Sequence, residues 1–296
     1  MKYLALLLCI LGMYSCKPSY TIQLQSQDYA EQEVYDVCED VLKERMKQSG
    51  INFQKIQSDA DEMSITVSGV RFKNEVSNQS LEELFTKPSA LTIREVYHTN
   101  ENGIPDLLEE FTADFTSFAP ILKPDAQSNT FLIFTNPAAK EDLLTYLWQE
   151  KYIRLLKASL DFVWGQPDPE ESFLRIYALP SAIGAHHLID NSHITKTEVV
   201  VNPYPSISIQ FNEEGATRFA ALSAELAKND NRELAIVIDN EVVSAPRVMQ
   251  EITGGKVMIT GLFTLEEAKQ LAAMLQGGEL PLPLVFDSIQ EEKKGK

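Results

Sequence analysis

The sequence predicts an α+β protein in two unequal parts behind a short removable leader. Three observations predict it. Segments in which apolar residues alternate with polar ones are interleaved with segments whose apolar residues recur every three or four positions. The order of those segments over the first hundred residues changes after a polar, turn-rich stretch at 100–105. A mostly apolar run at 3–14 follows Lys2 but is shorter than the roughly 20 residues that a membrane-spanning helix needs.

That run fits the hydrophobic region of a secretory signal peptide over residues 1–16. Met13-Tyr14-Ser15-Cys16, followed by polar Lys17-Pro18-Ser19, resembles a bacterial lipobox. The resemblance implies cleavage before Cys16, acylation of Cys16 as the new N-terminus, and a body tethered to a membrane and facing the periplasm or the cell exterior. An ordinary signal peptide with an incidental cysteine is the other reading. With Cys9 lost and Cys16 acylated, Cys38 is the one thiol left, so no internal disulfide forms. Cys38 lies on a helical apolar stripe, which predicts a buried, inert thiol.

Residues 17–99 read as a base. Residues 20–25 alternate as a strand. Residues 28–49 carry Val34, Val37, Cys38, Val41, Leu42 and Met46 at helical spacing, and Gly50 stops them. Strands follow at 51–58 and 62–70, on either side of Asp59-Ala60-Asp61. Ser80 and Glu83 make a capping box for a helix at 81–85, Pro88 ends it, and 90–97 is a further strand. This βαββαβ order predicts a ferredoxin-like sheet with two helices on one face. Asn100 to Pro105, with Asn102, Gly103 and Pro105, reads as a linker and hinge.

Residues 106–286 read as a second α+β unit. Helices are expected at 106–118 and 138–150, and strands at 130–135, 159–164, 172–179 and 206–211. A helix at 213–228 precedes two strands within 233–244, turned at Asp239-Asn240. After a strand at 256–260, Thr264 and Glu267 form a capping box for the last helix, which Gly277-Gly278 ends. Residues 287–296 read as a disordered tail.

With 43 acidic against 26 basic residues the net charge is −17, which repels phosphate backbones and argues against nucleic-acid binding. His98, His186, His187 and His193 show no metal-ligand spacing, and adjacent His186 and His187 would point opposite ways in extended chain. Ser181, Ser192, Ser206 and Ser223 sit in no nucleophile elbow. Glu213-Glu214 and Glu266-Glu267 are first-turn carboxylates that the helix dipole explains. Met249, Met258 and Met274 read as core fillers. No cofactor is expected.

The segment from 239 is more specific. Asp239-Asn240-Glu241-Val242-Val243-Ser244-Ala245-Pro246 is followed by Ile252-Thr253-Gly254-Gly255, then Ile259-Thr260-Gly261, Phe263-Thr264, Glu266-Glu267-Ala268 and Gly278-Glu279-Leu280-Pro281. This resembles the first periplasmic domain of the SecD and SecDF protein-export family. Asn240 stands where the family has glycine, which suits the same turn because Asn tolerates positive φ. Phe211-Asn212 with Gly215-Ala216, Phe162-Val163-Trp164-Gly165, and Leu81 to Phe85 with Leu91 to Val96 extend the likeness over about 20–286.

The resemblance implies a non-enzymatic base and head without the family's membrane bundle. Its expected partners are unfolded or translocating polypeptide, components of the Sec translocon, and the membrane through the lipid. An envelope lipoprotein that uses the same fold to bind a small ligand or a protein is the alternative. Phe263 is expected in the core under the last helix.

Overall fold

The structure is a computed structural model that describes residues 18–72, 77–118, 121–125, 130–167, 172–182, 188–261 and 263–292. Cys9, Cys16, His186 and His187 lie outside the described residues. In chain order the elements are β1 (Tyr20–Ser26), α1 (Gln32–Gln48), β2 (Lys55–Asp59), β3 (Ser64–Val70), α2 (Asn78–Thr86), β4 (Leu91–Glu95) and α3 (Ile104–Asp114). Next come β5 (Leu122–Pro124), β6 (Leu132–Phe134), α4 (Lys140–Leu147), α5 (Glu150–Ile153), β7 (Leu160–Gly165) and β8 (Leu174–Pro180). β9 (Ile189–Asp190), β10 (Ile194–Val201), β11 (Pro205–Phe211), α6 (Glu213–Lys228), β12 (Leu234–Ile238) and β13 (Glu241–Ser244) follow. β14 (Lys256–Thr260), α7 (Leu265–Gly277) and β15 (Leu284–Glu291) complete the chain.

The small lobe is a four-stranded antiparallel sheet in the order β15-β1-β3-β2, covered by α1 and α2. That is the ferredoxin-like arrangement, but its fourth strand is not the expected one. β4 leaves the small lobe and pairs with β12 and β9 in the large lobe. β15 takes its place along the whole of β1, from Tyr20 opposite Glu291 to Ser26 opposite Leu284. Half of the expected tail, residues 287–291, is therefore strand. Its end is held where Glu292 Oε1 accepts from the Gly69 amide at 2.7 Å and the Thr21 hydroxyl at 2.9 Å. Pairing satisfies the backbone of β1 along an edge that a charged tail would leave open.

The large lobe is thus inserted between α2 and β15 of the small one. Its eight-stranded sheet has the order β5-β6-β8-β7-β13-β12-β4-β9. Just past β4, the Tyr97 amide donates to the Ala178 carbonyl at 2.8 Å, bridging back to β8. The five strands β8, β7, β13, β12 and β4 so roll around a closed core of Val96, Val163, Tyr177, Leu179, Ala235, Val237 and Val242. A second sheet, β10-β11-β14, shares one core with α6, α7 and the inner side of β12 and β4.

Asn102, Gly103 and Pro105 are not a hinge between lobes, because β4 and α3 on either side both belong to the large lobe. The Lys157 amide donates to the Asn102 carbonyl at 2.8 Å. Gly103 has φ +82, and a Cβ there would lie 2.0 Å from the Leu155 carbonyl oxygen. Pro105 sits in the first turn of α3, where no amide partner is needed. Glu101 takes both Arg232 guanidinium nitrogens, at 2.9 and 2.8 Å. The turn residues here terminate a tight, packed loop.

Two smaller expectations also change. The N-cap of α2 is Ser77, whose hydroxyl accepts from the Ser80 amide at 3.0 Å, so the helix starts a turn earlier than a Ser80 cap implies. Val37 is half exposed and lies off the buried stripe of α1, which runs through Tyr35, Cys38, Val41, Leu42, Arg45 and Met46.

Candidate functional site

The chain passes between the lobes twice, after α2 at 87–90 and after α7 at 278–282. The two passages meet. The Leu280 amide donates to the Pro88 carbonyl at 3.0 Å. Arg45, on the buried stripe of α1, aims its guanidinium at the same point. Nη1 donates to the Leu84 and Lys87 carbonyls at 3.1 and 2.7 Å, and Nη2 to the Pro88 and Gly278 carbonyls at 2.7 and 2.8 Å. These oxygens lie at the C-terminal ends of α2 and α7, where helices leave carbonyls without intrahelical partners and carry partial negative charge. Each end is equivalent to roughly half a unit charge, so two of them together meet one guanidinium. Burial pushes Arg45 down to about 10, against the pull of Asp239.

Residues of the large lobe hold the first passage from the other side. Asn191 Oδ1 accepts from the Leu91 amide at 2.6 Å and Asn191 Nδ2 donates to the Ser89 carbonyl at 2.9 Å. Asp239 Oδ1 accepts from the Ala90 amide at 2.9 Å, and the Asp239 amide donates back to Ala90 at 3.0 Å. Asp239 and Asn240 have φ of 50° and 62°, the pair of positive values of a type I′ turn, so the turn also aims the Asp239 carboxylate at the joint.

The other motif residues are structural. The Pro246 carbonyl accepts from the Leu234 amide at 3.0 Å, and Ser244 pairs with Ile236. Gly255 has φ +59 and lies against Ala216, whereas Gly254 faces open space. Thr264 and Glu267 form the expected capping box. Ala268 is fully buried, and Leu280 nearly so. Gly261 makes room for the Phe263 ring, which is half-buried on the rim of the core, not in it as expected. Pro281 is exposed. Gly278 supplies the carbonyl that Arg45 holds.

His193 is buried, with Nδ1 2.9 Å from Asp190 Oδ1, and caps a short turn. Among the described residues no cluster of His, Cys, Asp and Glu could hold a metal ion. Burial pushes the Cys38 thiol up to about 11.

The outer face of the β10-β11-β14 sheet is open. Its register sets three rows across the strands: Lys196, Gln210, Lys256; Glu198, Ser208, Met258; Val200, Ser206, Thr260. The middle strand carries small serines and the flanking strands larger side chains, so the face is lowest along β11. Met258 is 42% exposed, and Val200, Val201 and Tyr204 are exposed at and beside the hairpin end. Met249 is 70% exposed as well; of the three methionines expected in the core, only Met274 is buried there. The open hollow against the first turn of α6 is lined by Glu213, Glu214, Thr217 and Arg218, with Arg218 already bound to Glu214 and to the Leu188 carbonyl.

Residues 175–282, from β8 to the end of the second passage, match the family model of the SecDF P1 head subdomain. Protein translocase subunit SecD of Streptomyces coelicolor is 39% identical over 107 residues, 34% of this chain and 19% of that one. SecD of Acidaminococcus fermentans is 46% identical over 80 residues, 27% of this chain and 18% of the relative. SecDF of Thermus thermophilus is 42% identical over 86 residues, 29% of this chain and 11% of the relative. The matched part thus spans about a fifth or less of the curated relatives. A crystal structure of SecDF in its super-membrane-facing form shares the fold over 93% of this chain and 30% of its own, with TM-score 0.55 and 22% identity. A second solved chain, described as from SecDF, a membrane component that enhances protein export, covers 91% of this chain and 99% of its own at TM-score 0.53 and 21% identity. Residues 175–282 of the large lobe are thus similar to the SecDF P1 head subdomain, and both lobes share the fold of solved SecDF chains. Among the described residues no helix is long and apolar enough to cross a membrane.

Proposed function

We propose that this chain is a non-enzymatic, export-related protein of the cell envelope, tethered by lipid at Cys16, whose large lobe holds unfolded or translocating polypeptide beside the Sec machinery. The observation that carries the reading is the open face of the matched subdomain. On that face Val200 and Met258 stand beside the partly exposed Ser208, while Ser206 is buried with its hydroxyl donated to the Val200 carbonyl; Val201 and Tyr204 are exposed at the hairpin end. Apolar side chains beside a small polar one suit an extended chain of varied sequence, and a flexible thioether adapts to what it meets. Ordering an unfolded client costs entropy, so binding is expected at about micromolar strength or weaker. The small-ligand alternative has less support, because the hollow at α6 is open and lined by charge.

The test is photo-crosslinking in intact cells with a photoreactive residue at position 258, followed by identification of the adducts. Nascent secretory chains or translocon subunits support the reading; a single small molecule or an unrelated envelope protein supports the alternative. Cys16→Ala in the same cells should release the protein from the membrane fraction or stall its processing. Normal processing and attachment would refute the lipid tether.

A further inference from the structure

We propose that the outer edge of β10, at Val199 and Val201, takes an extended segment of an unfolded client as an added strand, held through its main chain. The inference rests on the reading of the large lobe as a holder of unfolded polypeptide and gives the mode of holding. β10 is the end strand of its sheet and pairs with β11 alone. In an antiparallel ladder, residues that bond the neighbour alternate with residues whose amide and carbonyl point away from it. The Thr197 amide donates to Gln276 Oε1 of α7 at 2.7 Å, outside the sheet, so Thr197 is of the second kind. The unbroken register from Lys196 to Val201 puts Val199 and Val201 in the same set. Gln276 shows what this edge accepts, because its Nε2 also donates to the Thr195 carbonyl at 3.2 Å. One side-chain amide thus makes the two bonds that a residue of a parallel neighbouring strand would make. It serves the edge at Thr195 and Thr197 and goes no further. Among the described residues no hydrogen bond meets the Val199 amide or carbonyl from that side.

The other sheet ends are guarded, as exposed edges usually are. β5 and β9 are three and two residues long. β2 carries Lys55 and Asp59, β15 carries Asp287 and Glu291, and β14 carries Lys256. β10 ends instead in Val199-Val200-Val201, with Val200 and Val201 exposed. An added strand would continue the rows of the open face and set alternate side chains beside Glu198 and Val200. Glu198 is already paired with Lys196, so the segment that fits is apolar, with β-branched or aromatic residues. A second copy of this chain is the poorer occupant, because each copy brings a net charge of −17.

Val199→Pro in the full chain tests the edge, with a reduced and alkylated model polypeptide as the probe. Proline removes the outward amide, which β11 does not use, and edge strands tolerate proline at such a position. Val199→Thr keeps both the amide and the side-chain shape. Relative to the native chain, Val199→Pro should bind the probe at least about tenfold more weakly and Val199→Thr within about twofold. Binding by Val199→Pro as tight as that of the native chain overturns the proposal. If Val200→Lys, Met258→Lys still weakens binding in that case, the reading of the open face stands without the edge. A native chain that binds no polypeptide sinks both. Self-association of the native chain that Val199→Pro abolishes would assign the edge to a second copy and overturn the client. Should Val199→Pro not fold, amide exchange of the native chain decides. On adding the probe the Val199 amide should slow at least about tenfold, while Glu198 and Val200, already bonded to β11, hold steady. Unchanged exchange at Val199 overturns the proposal.

Discussion

The Pro88 carbonyl oxygen accepts two hydrogen bonds at the joint, from the Leu280 amide at 3.0 Å and from Arg45 Nη2 at 2.7 Å, and so ties the outgoing passage between the lobes to the returning one. One oxygen therefore meets the small lobe's central helix and both chain crossings. The arrangement makes the joint part of the folded core.

Arg45→Met should destabilise the protein by about 3 kcal/mol or more, because buried carbonyls left without a donor cost roughly 1–3 kcal/mol each. Denaturant unfolding followed by circular dichroism measures it. A loss under about 1 kcal/mol would show that the carbonyls find other donors at once.

Gly103 and Gly254 should respond in opposite ways to alanine. At Gly103 the left-handed backbone alone costs about 1–2 kcal/mol, and the Leu155 carbonyl must also move, so Gly103→Ala should lose roughly 2 kcal/mol or more. At Gly254 nothing lies within 4 Å of the added methyl. Gly254→Ala should stay within about 0.5 kcal/mol of the native protein. Equal, small losses at both sites would restore a flexible loop at 100–105.

Glu95 gives a pH signature. Burial raises its pKa, with Glu225 and Glu101 adding and Arg232 opposing. A carboxyl whose folded pKa is raised binds its proton more tightly in the folded state, so it favours folding most at low pH, and that contribution is lost as pH rises through the raised value. Glu95→Gln should therefore be more stable than the native protein at pH 7, with the difference closing as pH falls toward about 4, the ordinary carboxylate range. Melting temperatures from pH 4 to 8 read it. A variant less stable at pH 7 would mean that the Arg232 attraction outweighs burial.

Much of this architecture is visible in local pattern. Alternation marks β1, β3, β11 and β14, the Thr264–Glu267 box marks the start of α7, and Asp239-Asn240 marks its turn. What local pattern does not carry is partner choice. β4 has the composition of a strand but nothing in residues 91–95 says which sheet it joins, and β15 pairs with β1 across almost the whole chain. Asp287 and Glu291, beside the lysines that follow, disguise β15 as a tail although its alternate residues face the core or the open side of the sheet. Arg45 did leave a signal. It stands seven residues after Cys38 and four after Val41, on the apolar stripe of α1, where a charge needs buried acceptors. The glycine pair at 277–278 reads as a helix stop; its closeness to Arg45 is a long-range fact that spacing does not contain.

The most direct measurement of the functional claim is titration of the purified full chain with a permanently unfolded, reduced and alkylated model polypeptide, comparing native protein with the double variant Val200→Lys, Met258→Lys. Binding near about 1–100 micromolar is expected for the native protein, as for small interfaces that order a flexible partner. The variant should bind at least about tenfold more weakly, with unchanged melting, since both side chains are exposed. Absence of binding by the native protein, or equal binding by the variant, would contradict it.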